Sequence, residues 1–334
     1  MKRWISIGAA VLLLGISMAA GSSVLNHSGQ VFFHYAAQKG PDQKALEEME
    51  SREKEDAIRE LPQFAAWRVE EGVEIKSGTL GKRILADCVT VYGAKELANP
   101  VRLSAGSFGY SKDKGGCVVS RGLAMELFGS DQVIGMELLC MGKSYKIKGV
   151  MDEKKKLVLV PSDGQEKFEY LLFDYGKGEN GKTEAQTLLF RYGIGSESVC
   201  ADGALFGAGS VLFLYAAIIS FFFCGLYEFR RQYKKSSSMD GIPIFLILFS
   251  ALAFFFLLNS QKMTFPQEFI PTKWSDFDFW TARCREIKEN MSRLFSVPSA
   301  QWVSIVVKKT AVGIGSSLLS ILCVVKMIFW PGRA

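Results

Sequence analysis

Four apolar blocks constrain this chain more than any other feature. "WISIGAAVLLLGISMAAGSSVL" spans residues 4–25, "ALFGAGSVLFLYAAIISFFFCGLY" 204–227, "IPIFLILFSALAFFFLL" 242–258 and "TAVGIGSSLLSILCVVKMIFW" 310–330. A helix needs roughly 20 mostly apolar residues to cross a bilayer, and each block meets or nearly meets that length. The third is the shortest and the most apolar, and residues 261–265 extend it into the headgroup layer. Composition agrees: 49% of the 334 residues are hydrophobic and the mean hydropathy is +0.14, too apolar for an ordinary soluble protein.

Lys and Arg bias sets the direction of the spans, because cytoplasmic loops carry the excess of positive charge. Lys2 and Arg3 precede the first block. Arg230, Arg231, Lys234 and Lys235 lie between the second and third, and Lys326 and Arg333 close the fourth. Alternating sides puts all three clusters in the cytoplasm. The expected layout is therefore transmembrane helices at 4–25, 204–227, 242–260 and 310–330. Residues 26–202 and 261–309 are extracytoplasmic, 228–241 form a cytoplasmic loop, and both termini are cytoplasmic, in the plasma membrane. The net charge of +6 follows from this layout. It does not point to nucleic acid, since no region joins a dense basic face to interleaved aromatics. The first block also carries features of a cleaved signal peptide. Its long apolar run favours an uncleaved anchor.

Outside the membrane the chain reads as an α+β domain. "GPDQKALEEMESREKEDAIRELPQF" has Leu46, Met49, Ala57 and Leu61 near helical spacing. Short runs such as "RILADCVTVY", "KLVLVP" and "FEYLLFDY" are strands separated by turn residues. In "VVSRGLAMELFGSDQVIGMELLCMGKSYKIKGVM", Ser120 is an N-cap and Gly129 suits the left-handed position after a short helix. Leu123, Leu127 and Phe128 share that helix's apolar face. A hairpin follows, with Gly142 at the first position of a type II′ turn and Tyr145 on the second strand. Leu123, Leu127, Phe128 and Tyr145 are expected to act through domain packing. "FDYGKGENGKTEAQ" reads as a polar loop. It lacks the strand, Gly-rich turn and Lys-Ser/Thr of a P-loop. Residues 275–295 form an amphipathic helix, with Trp280, Cys284, Ile287, Met291 and Leu294 on one face and Arg283, Arg285, Lys288 and Glu289 on the other.

No catalytic, cofactor or metal set is legible. His27 and His34 are the only histidines, and no CxxC, HExxH, GxSxG or Walker sequence occurs. Their expected role is interfacial packing. Five cysteines, Cys88, Cys117, Cys140, Cys200 and Cys284, fall in the outer segments, where one or two bridges compete with burial as small apolar residues. Charges are almost absent from the blocks, which argues against a lone proton-coupled transporter. Gly207, Gly209, Gly313, Gly315, Ser316 and Ser317 permit close helix packing, internally or at a dimer seam.

The order of one span, a large outer domain and three further spans resembles the permeases of the MacB/FtsX type of ABC transporter. The segments "LSAGSFGYSKD", "GCVVSRGLAMELFG" and "DQVIGMELLCMGKSYKIKGVM" carry the resemblance, over residues 61–192, to the MacB-like periplasmic core domain. The resemblance implies a non-catalytic subunit with four transmembrane α-helices and an extracytoplasmic α+β domain between helices 1 and 2. It also implies a permease dimer and a separate cytoplasmic ATPase, which Arg230, Arg231, Lys234 and Lys235 would contact. The loop "YEFRRQYKKSSSMDGIP" departs from the family's coupling segment, being short and Ser-rich, and residues 261–302 are an added outer element. The alternative is a non-transporting, membrane-anchored binding or scaffold protein that reuses the outer domain.

Overall fold

The computed structural model describes residues 2–56, 61–109, 113–164, 166–176, 181–194, 198–234, 241–260, 271, 273, 276–296 and 301–329. Helix α1 (Lys2–Leu25) leads into strand β1 (Gln30–Tyr35), and β10 (Ser198–Asp202) leads out into helix α6 (Gly203–Lys234). The intervening chain forms α2 (Gln43–Asp56), β2 (Gln63–Ser77), β3 (Arg83–Gly93), α3 (Lys95–Ala98), β4 (Leu103–Gly106) and β5 (Gly116–Ser120). It continues through α4 (Arg121–Phe128), β6 (Glu137–Cys140), β7 (Lys143–Met151), β8 (Leu157–Pro161), β9 (Tyr170–Asp174) and α5 (Gly181–Arg191). After α6 come α7 (Ile242–Ser260), α8 (Phe277–Ser296) and α9 (Gln301–Phe329).

The strands make two connected bodies. A membrane-proximal layer runs β10–β1–β9–β2, all antiparallel. Beyond it, β2, β3, β8, β5, β7 and β6 pair in turn until β6 returns to β2, closing a six-stranded barrel. Strand β2 belongs to both bodies. One edge pairs with β3 along most of its length, while the other pairs with β9 over residues 63–67 and with β6 over residues 75–77. A bulge between Glu70 and Val73, with Gly72 at φ 67°, separates the two halves. A bulge adds a residue to one strand and bends it, which turns β2 from layer into barrel.

Alternation sorts the side chains, because successive strand residues point to opposite faces. Ile84, Ala86, Cys88, Cys117, Val119, Leu138, Cys140, Tyr145, Ile147, Val158 and Val160 fill the barrel. Helix α4 plugs it with Leu123, Ala124 and Leu127, all fully buried, and Phe128 packs half-buried at the margin. Ser120 accepts the Leu123 N–H as N-cap at 3.1 Å, and Gly129 closes the helix at φ 76°. One face of the layer buries Val31, Phe33, Tyr35 and Phe173 under α2 and α5. The other face meets the barrel wall and the helix tops.

Three expectations change. The β6–β7 turn has Met141 at φ 53° and Gly142 at φ 78°. Two consecutive positive φ values define type I′, so Gly142 is its second residue and not the first of a II′ turn. The stretch expected as a polar loop is strand β9 at its start and helix α5 from Gly181, because Ala185, Leu188 and Leu189 find the apolar face of the layer. Cys284 is exposed and Arg283 half-buried. Helix α8 meets the sheet edge mainly through its later turns, at Ile287, Met291 and Leu294.

Three helices among the described residues are long and apolar enough to cross a membrane: Trp4–Leu25, Gly203–Lys234 and Trp302–Lys326. Helix α7 contributes a shorter apolar run, Ile242–Phe256, which packs on α6. At that contact a Cβ on Gly225 would lie 3.0 Å from the Leu246 Cβ. The small residues join α1 to α9: Ser17 Oγ lies 2.7 Å from Ser317 Oγ and donates to the Gly313 carbonyl at 2.9 Å, and Ser320 Oγ donates to the Ala10 carbonyl at 2.8 Å. Such hydrogen bonds and close backbones hold helices together where lipid supplies no hydrophobic drive.

Candidate functional site

Among the described residues, helices α1, α6, α8 and α9, the layer and the barrel wall meet at the face of the layer turned toward the helices. Its geometry begins with chain connectivity. Strands β1 and β10 are hydrogen-bonded neighbours, so α1 and α6, which adjoin them, leave the domain side by side. Between them the backbones nearly touch: a Cβ on Gly203 would sit 1.9 Å from the His27 carbonyl oxygen. Only glycine fits there. Asp202 is 7% exposed and accepts the Ala204 N–H through Oδ1 at 2.9 Å, giving one of the unpaired amides at the start of α6 a partner.

Helix α9 is joined to the same place by a side chain. The Trp302 indole N–H donates to Gln30 Oε1, and its nitrogen lies 3.1 Å from His27 Nδ1. His27 Nδ1 and Gln30 Oε1 are themselves 2.9 Å apart, while Gln30 Nε2 donates to Asp174 Oδ2 at 2.7 Å. One polar chain thus ties the end of α1, strand β1, strand β9 and the start of α9.

An aromatic column continues inward from that chain. Ring centroids run Trp302–Phe32 at 5.9 Å, Phe32–Tyr170 at 5.9 Å and Tyr170–Trp67 at 5.5 Å. These spacings are those of favourable ring pairs. His34 lies 5.0 Å from the Tyr170 ring, and burial lowers its pKa below the ordinary imidazole value. Val24, Phe206, Leu294, Val303 and Val306 pack around the column, and the barrel wall adds Val118, Met151 and Leu159. Among the described residues the junction is made of packed side chains and the hydrogen-bonded chain of Trp302, Gln30 and Asp174.

The residues singled out by sequence lie elsewhere. Leu123, Leu127, Phe128 and Tyr145 sit in and around the barrel. Arg230 and Lys234 are exposed and Arg231 half-buried at the far end of α6, where Arg231 Nη1 lies 3.4 Å from Glu228 Oε2. Lys235 lies outside the described residues. A 32-residue helix is about 48 Å long, so this end is remote from the junction. Among the described residues no three His, Cys, Asp or Glu side chains are grouped to hold a metal. Sequence reasoning placed His27 in interfacial packing but missed Gln30, Asp202, Gly203 and the role of Trp302. Asp202 directly before a glycine and an apolar run was a readable cap signal.

No curated protein matches the chain. Three solved structures resemble it. They are the extracellular domain of the noncanonic ABC-type transporter YknZ from Gram-positive bacteria, the periplasmic region of MacB from Actinobacillus actinomycetemcomitans and a domain of a protein described as a permease from Porphyromonas gingivalis. Their identities are 13%, 9% and 14%, with TM-scores of 0.40, 0.41 and 0.34. The matches cover 51%, 54% and 52% of this chain and 97%, 91% and 89% of those chains. The family described as the MacB-like periplasmic core domain matches residues 4–189, more than half of the chain. The chain belongs to the MacB-like periplasmic core domain family.

Proposed function

We propose that this protein is a permease-like membrane subunit of a MacB/FtsX-type ABC transporter, carrying motion from a separate cytoplasmic ATPase to its α+β domain outside the membrane. The observation that carries this reading is the junction. Helices α1, α6 and α9 all seat on one face of one sheet, through His27, Asp202–Gly203 and Trp302. Helices held this way cannot shift without moving the sheet. In this reading α7 is a fourth span, both termini are cytoplasmic, and the protein sits in the plasma membrane as a dimer of permeases. It performs no chemistry of its own. Arg230, Arg231, Lys234 and Lys235 lie at the cytoplasmic end, where an ATPase docks. Peptides, lipids and drugs all suit such a lever as cargo.

One observation favours the alternative of a binding or scaffold protein: only seven residues, 235–241, lie between α6 and α7, a short and Ser-rich stretch of sequence. Co-purification separates the two readings. The transporter reading expects an ABC ATPase to be recovered with the protein and its hydrolysis to rise on binding. Charge reversal at Arg230, Arg231 and Lys234 is expected to abolish that stimulation. Recovery of the protein without any ATPase sinks the transporter reading.

A further inference from the structure

The barrel interior holds a pair of cysteines in direct contact. Cys88 on β3 and Cys140 on β6 are 52 positions apart, both are fully buried, and their sulfurs are 3.4 Å from one another. No other strand-borne polar pair in the barrel has this arrangement among the described residues. The two sulfurs face one another across the barrel interior, and a disulfide would close that separation to about 2.05 Å.

Their place in the topology gives the contact a purpose. The barrel closes where β6 meets β2, and that seam is short: Ile75, Lys76 and Ser77 pair with Cys140, Leu139 and Leu138. Elsewhere in the ring, β2 with β3 and β5 with β7 pair over longer stretches, while β5 with β8 pairs only through Val118 and Val119 with Leu159 and Val158. Strands β3 and β6 flank β2 on its two sides, so a bond from Cys88 to Cys140 spans the seam and fixes the β6–β7 hairpin to the barrel. We propose that Cys88 and Cys140 form a disulfide that staples the barrel shut. The proposal rests on the reading that the α+β domain lies outside the cytoplasm, where disulfides persist.

The electrons balance by thiol–disulfide exchange with an oxidised dithiol carrier. With Cys140 reacting first, its thiol gives up a proton to become the thiolate nucleophile. It attacks one sulfur of the carrier's disulfide, forms a mixed disulfide and releases one carrier thiolate. Cys88 then gives up its proton and attacks the Cys140 sulfur, forming the Cys88–Cys140 bond and expelling the second carrier thiolate. Two protein thiols are oxidised and the carrier disulfide is reduced to a dithiol, whose two thiolates take up the two protons that the protein thiols gave up. Both residues are buried in the closed barrel, so the exchange takes place during folding. Cys117 is fully buried in the same core and is left over as a thiol.

The full-length protein, extracted from membranes and unfolded with an alkylating agent but no reductant, tests this by peptide mass spectrometry. The expected result is a cross-linked pair of Cys88 and Cys140 peptides, lighter by two hydrogens than the free peptides, with Cys117 alkylated. Reductant is expected to lower the thermal midpoint by roughly 5–10 °C in the wild type and in Cys117→Ala, and to leave Cys88→Ala/Cys140→Ala unmoved. Alkylation of both Cys88 and Cys140 overturns the proposal. So does a stoichiometric copper(I) ion with both thiols free, a site that the Met141 thioether, 3.8 Å from the Cys88 sulfur, would complete. Leu80→Cys, exposed on the β2–β3 turn, reports on the compartment through a membrane-impermeant maleimide applied to intact cells. Labelling there together with free Cys88 and Cys140 overturns the disulfide alone. Failure to label, with the same free thiols, overturns the outer placement and the disulfide with it.

Discussion

Ser120 is fully buried, and its hydroxyl oxygen accepts two backbone N–H groups, Leu123 at 3.1 Å and Leu157 at 3.1 Å. One bond caps α4 and the other fixes the start of β8. Ser120→Ala leaves both donors without a partner in a dry core, at about 1–3 kcal/mol each for full loss, partly relieved by relaxation. Thermal unfolding in detergent is expected to show a loss of at least ~1 kcal/mol, more than an exposed N-cap costs. Met141 gives the opposite case. It is a non-glycine residue in the left-handed region at φ 53°, which costs an ordinary side chain about 1–2 kcal/mol. Met141→Asn suits a type I′ turn and is expected to stabilise the barrel by about 1 kcal/mol in the same measurement. Burial pushes the Cys117 thiol from about 9 up to about 12. Between those values the folded chain keeps a proton that the unfolded chain has released. Stability therefore falls as pH rises through that window, by about 1.4 kcal/mol per unit, and is indifferent to this group below it. Denaturation of wild type and Cys117→Ala at pH 8 and pH 10 is expected to show a shallower loss in the variant.

At the scale of elements, α4, its two caps and the strands around it were legible because their signals are local. Ser120, Gly129 and the spacing of Leu123 and Leu127 lie within ten residues. The barrel was not legible. Its closure depends on β2 changing partners at a bulge and on the parallel pairings β3–β8 and β5–β7, which join segments distant in sequence. No periodicity reports which strand a strand will meet. The junction was hidden for the same reason: Trp302 and Gln30 are 272 positions apart. The Trp302 indole N–H goes to Gln30 and its ring packs on Phe32. Trp302→Phe keeps the ring and removes the donor, at about 1 kcal/mol. Hydrogen exchange is expected to quicken in the first turns of α9 and in β1, while the barrel strands keep their protection. Faster exchange in the barrel as well would show that the tie is not local.

Across the whole molecule, charge and packing divide the ends of the helices. One end is locked to the sheet at Gly203 and Trp302, and the other carries Arg230, Arg231 and Lys234. Charge reversal of that cluster is expected to leave melting and membrane insertion of the domain intact while removing ATPase stimulation. That outcome assigns the cluster to docking; a failure to insert assigns it to topology, through the positive-inside bias.

Strand β2 has a further consequence. Its first half is woven into the layer that the helices hold, its last residues form the barrel's short seam, and the bulge at residues 70–73 lies between. On the transporter reading proposed above, a strand shared by two bodies and kinked between them would serve as a fulcrum. Tilt of the layer by a few degrees would then swing the barrel through an arc set by its distance from Gly72. The reach of the domain is then governed by the length of the lever beyond the kink, and its direction by the hand of the bend.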